Sequence, residues 1–492
     1  MEPLNIGRRR EVCWDEALID SAEGVQVRMH RPEFRNVAFV ADAPWEGDVS
    51  GYFTFMPDDG RLRMYYRGSR ITLDADGVRE HPHTTVFCYG ESDDGGRTFR
   101  RVNVNKHAFW GTKDNNIILN NIRDNMSFFK DTNPDCPADE LYKGLAEEGE
   151  TLAYYKSADG VNFERVRTLV DDGAYDSLNV AMWDSVRKKY FLFYRGIHGG
   201  GSNNGKWTHT EDHAMHTTII RDIRVRTSED FVTWDEPRML EYDPEREDLE
   251  LYTNQIQPYY RAKHMYIGFP MRYTDRYMDS KNFYHLPDRE HREMLIRNWG
   301  RSGTAMTDGI IMTSRDGYHF RRTEEAFFTP GPERGTNWYY GDGSLCYGMF
   351  ETPSDIPGAP NEISIYLPAD YRVNPVKILR YAVRLDGFFS WRADYPGGKV
   401  TTKPFVFEGD AMHINFATSC AGYVQIRMLD EDGCAIEGYD SGRMFGDSVS
   451  RPVDFDAPVC ALSGKTVRME ITMKDADLYS FVFRPDYLAV NS

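Results

Sequence analysis

Ser157-Ala158-Asp159-Gly160-Val161-Asn162-Phe163 is the clearest of five versions of one short pattern in a chain of 492 residues. Near copies are Ser92-Asp93-Asp94-Gly95-Gly96-Arg97-Thr98-Phe99 and Ser314-Arg315-Asp316-Gly317-Tyr318-His319-Phe320. Looser ones are Ser228-Glu229-Asp230-Phe231-Val232-Thr233-Trp234 and Leu385-Asp386-Gly387-Phe388-Phe389-Ser390-Trp391. Asp-Gly suits a tight hairpin turn: the carboxylate hydrogen-bonds nearby backbone, glycine takes positive φ, and the following aromatic anchors the returning strand. The copies are spaced by roughly 65 to 86 residues, a scale that signals a repeated architecture such as a propeller. Five copies predict five blades. An Asp that recurs in every blade is read as part of the turn, not as a catalytic acid.

Working outward, each turn is flanked by short aromatic strands. Blade one holds Tyr52-Phe53-Thr54-Phe55, Arg63-Met64-Tyr65-Tyr66-Arg67-Gly68 and Val86-Phe87-Cys88-Tyr89. Blade two opens at Phe128-Phe129-Lys130-Asp131-Thr132-Asn133-Pro134, and blade three at Ser177-Leu178-Asn179-Val180. Blade three also repeats the Tyr-Arg-Gly ending of blade one, as Tyr194-Arg195-Gly196. Blades four and five begin near Thr253 and Gly343. Residues 199–205 and 274–303 interrupt the rhythm, the second with a short helix expected over 288–299. After Trp391 the strands alternate apolar and polar residues, the signature of an antiparallel sandwich. The predicted fold is all-β: lead-in strands in 1–40, a five-bladed β-propeller in 41–392, and a C-terminal β-sandwich in 393–492. One lead-in strand, in 25–29 or 37–40, is expected to close the ring.

Composition narrows the partners. A net charge of -18 argues against nucleic acid or an anionic membrane as the main partner. No apolar run reaches the length of a transmembrane helix. The first ten residues are polar, carry Arg8-Arg9-Arg10 and lack a signal-peptide core, which points to the cytoplasm unless a secretion signal has been removed. Seven cysteines, odd in number and without a CxxC pair, favour reduced thiols. The oligomeric state is left open.

In a propeller the first strands of the blades line a central channel, so residues at their entrances converge. Glu46, Asp131 and Asp176 are the acids placed there by this reading, and three carboxylates at one pocket suit glycosidic cleavage. Arg67, Arg195, Asn254, Gln257, Arg272, Asp308, Trp338 and Asp342 are the candidate sugar-binding groups. Arg67 and Arg195 serve equally well as partners of structural carboxylates. His198, His209, His213 and His216 form the one histidine cluster, read as a solvated loop. With no Walker loop, Rossmann fingerprint or nucleophile elbow, neither cofactor nor metal is expected.

This layout resembles the five-bladed glycoside hydrolases of families 32, 43 and 68, whose acids come from the entrances of blades one, two and three. Family 32 also follows its propeller with a β-sandwich. Against that family's Trp-Met-Asn-Asp-Pro, Arg-Asp-Pro and Glu-Cys-Pro, this chain has Pro44-Trp45-Glu46-Gly47-Asp48, Lys130-Asp131-Thr132-Asn133-Pro134 and Asp176-Ser177-Leu178-Asn179. The resemblance implies a hydrolase acting on a terminal glycosidic bond, with carbohydrate as partner. The alternatives are a sialidase-like propeller, which would have six blades, and a non-catalytic carbohydrate-binding propeller.

Overall fold

A computed structural model describes residues 2–73, 79–80, 82–199, 219–243, 247–276, 281–299, 301–373 and 375–485. The chain builds five blades. Blade I pairs Gly51–Asp58, Arg61–Gly68, Val86–Ser92 and Arg100–Arg101 in order, with Ile117–Asn120 added beside the third strand. Blade II is Met126–Lys130, Tyr142–Glu147, Leu152–Ser157 and Glu164–Val170; blade III is Val180–Asp184, Lys189–Gly199, Ile219–Ser228 and Arg238–Met239. Blade IV is Gln257–Tyr259, Ala262–Gly268, Met312–Ser314 and His319–Arg322, extended by Glu241–Tyr242. Its insertion is a ribbon, Met271–Asp275 with Ala305–Gly309, carrying the helix Arg289–Trp299. Five blades, not six, separate this ring from a sialidase-like one.

Blade V closes the ring with a borrowed strand. Phe350–Thr352, Glu362–Ala369 and Lys377–Arg384 take Glu33–Val40 as their fourth member, antiparallel, with Ile378 opposite Phe39. The other N-terminal strands go elsewhere. Leu4–Gly7, Glu11–Val12, Ile19–Glu23 and Val25–Met29 join seven strands from Phe389–Ala393 onward in one connected 11-stranded sheet. The region expected as a C-terminal sandwich is therefore shared by both ends of the chain. Its axis is the antiparallel pair Ala411–Leu429 and Thr466–Arg484, each of 19 residues. In the latter Val467, Met469, Ile471 and Met473 alternate into a core of nearly zero exposure, as period-2 side chains must when one sheet face is buried.

Propeller strands bury both faces. On Arg61–Gly68, Met64 and Tyr66 pack toward blade V with Phe39 and Tyr366, while Tyr65 stacks on Phe128 of blade II at 4.4 Å. Alternating side chains thus serve two neighbours, which is why these strands read as continuous aromatic runs.

Four of the five repeated turns share one hydrogen-bond scheme. Each lies between the third and fourth strands of its blade, and the serine hydroxyl donates to the aspartate at 2.8, 2.9, 3.0 and 3.1 Å in turns 92, 157, 228 and 314. In the second copy Asp159 Oδ1 also accepts from the backbone N–H groups of Val161 and Asn162, both at 2.8 Å. The turns dock on the preceding blade. Arg63 and Tyr65 of blade I donate to the carbonyls of Asp159 (2.7 Å) and Gly160 (2.9 Å). Arg167 of blade II grips Phe231, Arg187 of blade III grips Arg315, and Tyr366 of blade V reaches Gly96 at 2.6 Å. Gly160, at φ 75°, has no room for a side chain: a Cβ would lie 2.5 Å from Arg63 and 2.8 Å from Tyr65. The third copy carries Phe231 at the glycine position, at φ 61°, with its ring inserted between Phe129, Tyr154 and Tyr190.

The fifth copy is different because the fourth strand of blade V comes from the N-terminus. After Lys377–Arg384 the chain turns at Asp386 and leaves for the 11-stranded sheet. Asp386, fully buried, becomes a junction: it accepts from Arg261 and Tyr259 of blade IV (2.8 and 2.6 Å), Arg10 (3.2 Å), Ser480 (2.7 Å) and Asn415 (3.3 Å). It still docks on the preceding blade.

Candidate active site

The first strands of all five blades run in the same sense, so their starts meet at one end of the channel. The segments before Gly51, Val180, Gln257 and Phe350 line a cavity of about 580 Å³ counted out to its open mouth, and the segment before Met126 of blade II lies beside it through the contacts of Asp124 with Tyr52 and Arg67. Its wall includes Tyr52 and Arg67 of blade I, Leu178 before blade III, Tyr252 and Gln255 before blade IV, Tyr340 and Ser344 before blade V, and Tyr371. Tyr52 and Gln255 hold positive φ, 52° and 43°. Such conformations are costly for non-glycine residues and cluster at functional sites.

Amides fix this end of the ring. Asn125 of blade II donates to the Tyr175 carbonyl at 2.9 Å, Asn254 to that of Leu178 at 3.2 Å, and Gln255 to that of Leu345 at 2.6 Å. Asn254, 1% exposed, is therefore a stitch between blades III and IV, and its neighbours Thr253 and Gln255 line the cavity in its place.

Three carboxyl groups come together beside the cavity. Asp124, two residues before the first strand of blade II, accepts from Arg67 and lies 3.5 Å from the Tyr52 hydroxyl. Asp176 precedes Ser177 and Leu178; its side chain is 63% exposed and 3.9 Å from an Arg195 nitrogen. Glu147 ends the second strand of blade II beside them, its backbone N–H donating to the Asn125 carbonyl at 3.1 Å. Its Oε1 accepts from the Gly149 N–H at 2.7 Å and faces Arg123 at 3.3 Å, while the buried Oε2 has no hydrogen-bond partner among the described residues. Burial pushes the Glu147 carboxyl up to about 7, and the negative charges of Asp124 and Asp176 add to the rise. Burial likewise lifts Asp342 to about 7, next to the wall residues Gly341 and Ser344.

Arg67 is held by the Val49 carbonyl at 2.7 Å and the Tyr371 hydroxyl at 3.2 Å, with its guanidinium 4.7 Å from the Tyr52 ring centre. Arg195 mirrors it on blade III, donating to the Ala174 carbonyl at 2.8 Å over the ring of Tyr252. Arg67 lines the cavity, and the two arginines face the carboxylates of Asp124 and Asp176.

Glu46 and Asp131 do not share this pocket with Asp176. Glu46 is fully buried between blades V and I, where Arg101 binds it through two nitrogens (2.9 and 2.5 Å), the Ala43 N–H donates at 3.0 Å, and Tyr66 donates as well. Asp131 follows the end of Met126–Lys130, so it lies at the exit of that strand and the far end of the channel. There it belongs to a second repeat: Asp58, Asp131 and Asp184 each accept from a tyrosine on the next blade, Tyr142 (2.9 Å), Tyr190 (2.7 Å) and Tyr266. Buried Lys143 neutralises Asp131 at 2.8 Å. Asp131→Asn should accordingly lower stability to urea by about 2 kcal/mol and change turnover no more than a few-fold. A thousandfold loss of turnover in the folded variant would return Asp131 to the chemistry.

The remaining candidates divide similarly. Arg272 and Asp308 form one ion pair (2.9 and 2.5 Å) across the blade IV ribbon, outside the cavity wall. Gln257 pairs with Ile267 within its blade, and its neighbour Gln255 reaches the cavity instead. Trp338 donates to the Gly331 carbonyl at 2.9 Å, leaving Tyr340 in the wall. His198 bridges Asp222 (3.0 Å) and Asp248 (2.8 Å); His209, His213 and His216 lie outside the described residues. No helix among the described residues is long and apolar enough to cross a membrane.

Asp124 and Glu147 were legible only with correct strand bounds. Blade II opens at Met126, not Phe128, so its entrance is the polar run Arg123-Asp124-Asn125. Glu147 sits in Glu147-Glu148-Gly149-Glu150, which reads as an ordinary solvated hairpin.

No known family model and no curated protein matches the chain. Among solved structures it is similar to an N-acetylgalactosamine deacetylase from F. plautii in complex with blood group B trisaccharide, at 12% identity and TM-score 0.42 over 73% of this chain and 96% of that one. It is also similar to a structure described under the GH130 family of mannoside phosphorylases (13%, TM-score 0.39, 71% and 94%) and to the catalytic domain of Coprinopsis cinerea GH62 α-L-arabinofuranosidase (9%, TM-score 0.41, 72% and 97%). Identities this low say nothing of chemistry.

Proposed function

We propose that the chain is a carbohydrate-active enzyme that cleaves a terminal glycosidic bond at this cavity. The observation that carries the reading is a set of unlike carboxyl groups at one mouth. Glu147 keeps its proton to about pH 7 and so can donate it to a leaving oxygen. Asp176 is exposed and its charge is balanced by Arg195, which suits a base or nucleophile. Asp124, tied to Arg67, keeps both neighbours in register and offers an acceptor for a sugar hydroxyl. Tyr52, Tyr252, Tyr340 and Tyr371 supply flat apolar surface for a ring and hydroxyls for its edge.

The test is a panel of aryl glycosides and oligosaccharides assayed with the wild type and with Asp176→Asn. Turnover that falls about 10²- to 10⁴-fold in the variant, with the fold intact by circular dichroism, is the expected result. Glycan binding without turnover, untouched by the substitution, would sink the enzymatic reading in favour of a binding propeller.

A further inference from the structure

The hairpin Phe109-Trp110-Gly111-Thr112 presents an indole that the stability of the fold does not account for. Trp110 is 74% exposed, the most exposed of the large hydrophobic side chains described. Phe109 and Thr112 exchange both backbone hydrogen bonds, at 2.8 and 3.1 Å, leaving a two-residue turn. Both central residues have positive φ, 46° at Trp110 and 86° at Gly111. Turns of this kind select Asn, Asp or Gly at the first central position, and a bulky aromatic there is a conformational outlier. The tryptophan is thus unfavourable twice, in its backbone and in its hydration.

Its base is rigid and continuous with the cavity. Phe109 is buried in the same cluster as Tyr66 and Val86, and its ring contacts Trp110 at 4.8 Å and Trp45 at 5.9 Å. Trp45 is pinned by its indole N–H to Asn116 Oδ1 at 2.8 Å. The Trp45 carbonyl approaches Gly68 so closely that a Cβ there would lie 2.6 Å away, and Gly68 follows Arg67 of the cavity wall. Contacts therefore link the cavity wall to the exposed indole, through the backbone of Gly68 and Trp45 and then the rings of Trp45 and Phe109.

We propose that Trp110 is a stacking platform for a distal sugar unit of an oligosaccharide whose terminal unit occupies the cavity. This rests on the carbohydrate reading above and extends it: the substrate is an oligosaccharide running across blade I, not a simple glycoside. A neutral, flat, apolar face linked through Trp45 and Gly68 to the cavity wall matches the C–H face of a pyranose and offers nothing to an anion.

The experiment measures calorimetric affinity for cellohexaose, xylohexaose, mannohexaose and maltohexaose, alongside turnover of aryl monoglycosides, in the wild type, Trp110→Ala, Trp110→Phe and Trp110→Asn. Affinity for the hexasaccharide that binds should fall about tenfold in the Ala and Asn variants and be largely retained in the Phe variant. Aryl glycoside turnover should not change. Trp110→Asn should also melt about 1–2 °C higher, because Asn accepts positive φ. Equal hexasaccharide affinity in wild type and Trp110→Ala, no hexasaccharide binding at all, or a lower melting temperature for Trp110→Asn would each overturn the platform. A tenfold loss of affinity without turnover of any glycoside would keep the platform and overturn the hydrolase.

Discussion

Glu147→Gln should abolish most turnover, by about 10²- to 10⁴-fold, while leaving substrate affinity nearly unchanged. The amide keeps the shape of the side chain and the contact with the Gly149 N–H, but it cannot give up a proton. In the wild type, kcat/KM should fall as pH rises through about 7, since the acid must be protonated to act. The residual activity of the variant should lack that alkaline limb. The same shift has a sign for stability. The folded carboxyl holds its proton more tightly than the unfolded one, so its favourable contribution is fully present below the unfolded value and is lost as pH rises through about 7. The swing is about 3 kcal/mol. Glu147→Gln should therefore gain stability relative to wild type at pH 8 and show no such gain at pH 4. Urea unfolding at both values reads this directly, and an unchanged difference between the two pH values would remove Glu147 as a buried acid.

Asp386→Ala should be the most destabilising single change, by about 3–5 kcal/mol. The side chain is fully buried and faces two arginines that are themselves largely covered, Arg10 and Arg261. Removing it leaves two cations and the hydroxyls of Tyr259 and Ser480 without their acceptor, and the cost of unpaired buried charge dominates any gain from lost desolvation. Those partners come from the N-terminal segment, blade IV and the 11-stranded sheet, so the damage falls on the joint between propeller and sheet. The arginines hold the carboxyl far below its ordinary range. Its contribution is then present above the unfolded value of about 4 and lost as pH falls below it. A loss under 1 kcal/mol at pH 7 would show that the joint does not depend on it.

Much of the ring was legible because the repeat is local. A turn of seven residues carries its own hydrogen bonds, so Asp159 and its counterparts could be recognised and set aside as structural from sequence alone. The site was less legible, for two physical reasons. Strand bounds decide which end of the channel a residue occupies, and opening blade II at Phe128 turned the exit residue Asp131 into an entrance residue. Burial and direction decide the rest. Glu46 stands before its strand, as expected, but points into the blade V–I interface because Arg101 and Tyr66 neutralise it there. Asp131 also belongs to a repeat that sequence spacing conceals: Asp58, Asp131 and Asp184 share partners but no flanking motif. The C-terminal sheet drew four strands from the N-terminus, which no local pattern could announce.

The docking of each repeated turn on the blade before it bears on how the chain is made. When the turns at 157, 228 and 314 leave the ribosome, the arginines and tyrosines that grip them are already synthesised, so blades II, III and IV can be consolidated in the order of translation. The turn of blade I is the exception. Its holder, Tyr366, lies 270 residues downstream of Gly96, and Glu33–Val40 must likewise wait for Lys377–Arg384. At about 5–20 residues per second that wait is roughly 15–50 s. During it the flank of blade I that faces blade V, with Phe39, Phe53 and Tyr66, stays uncovered. The nascent chain is most in need of a chaperone at its oldest blade.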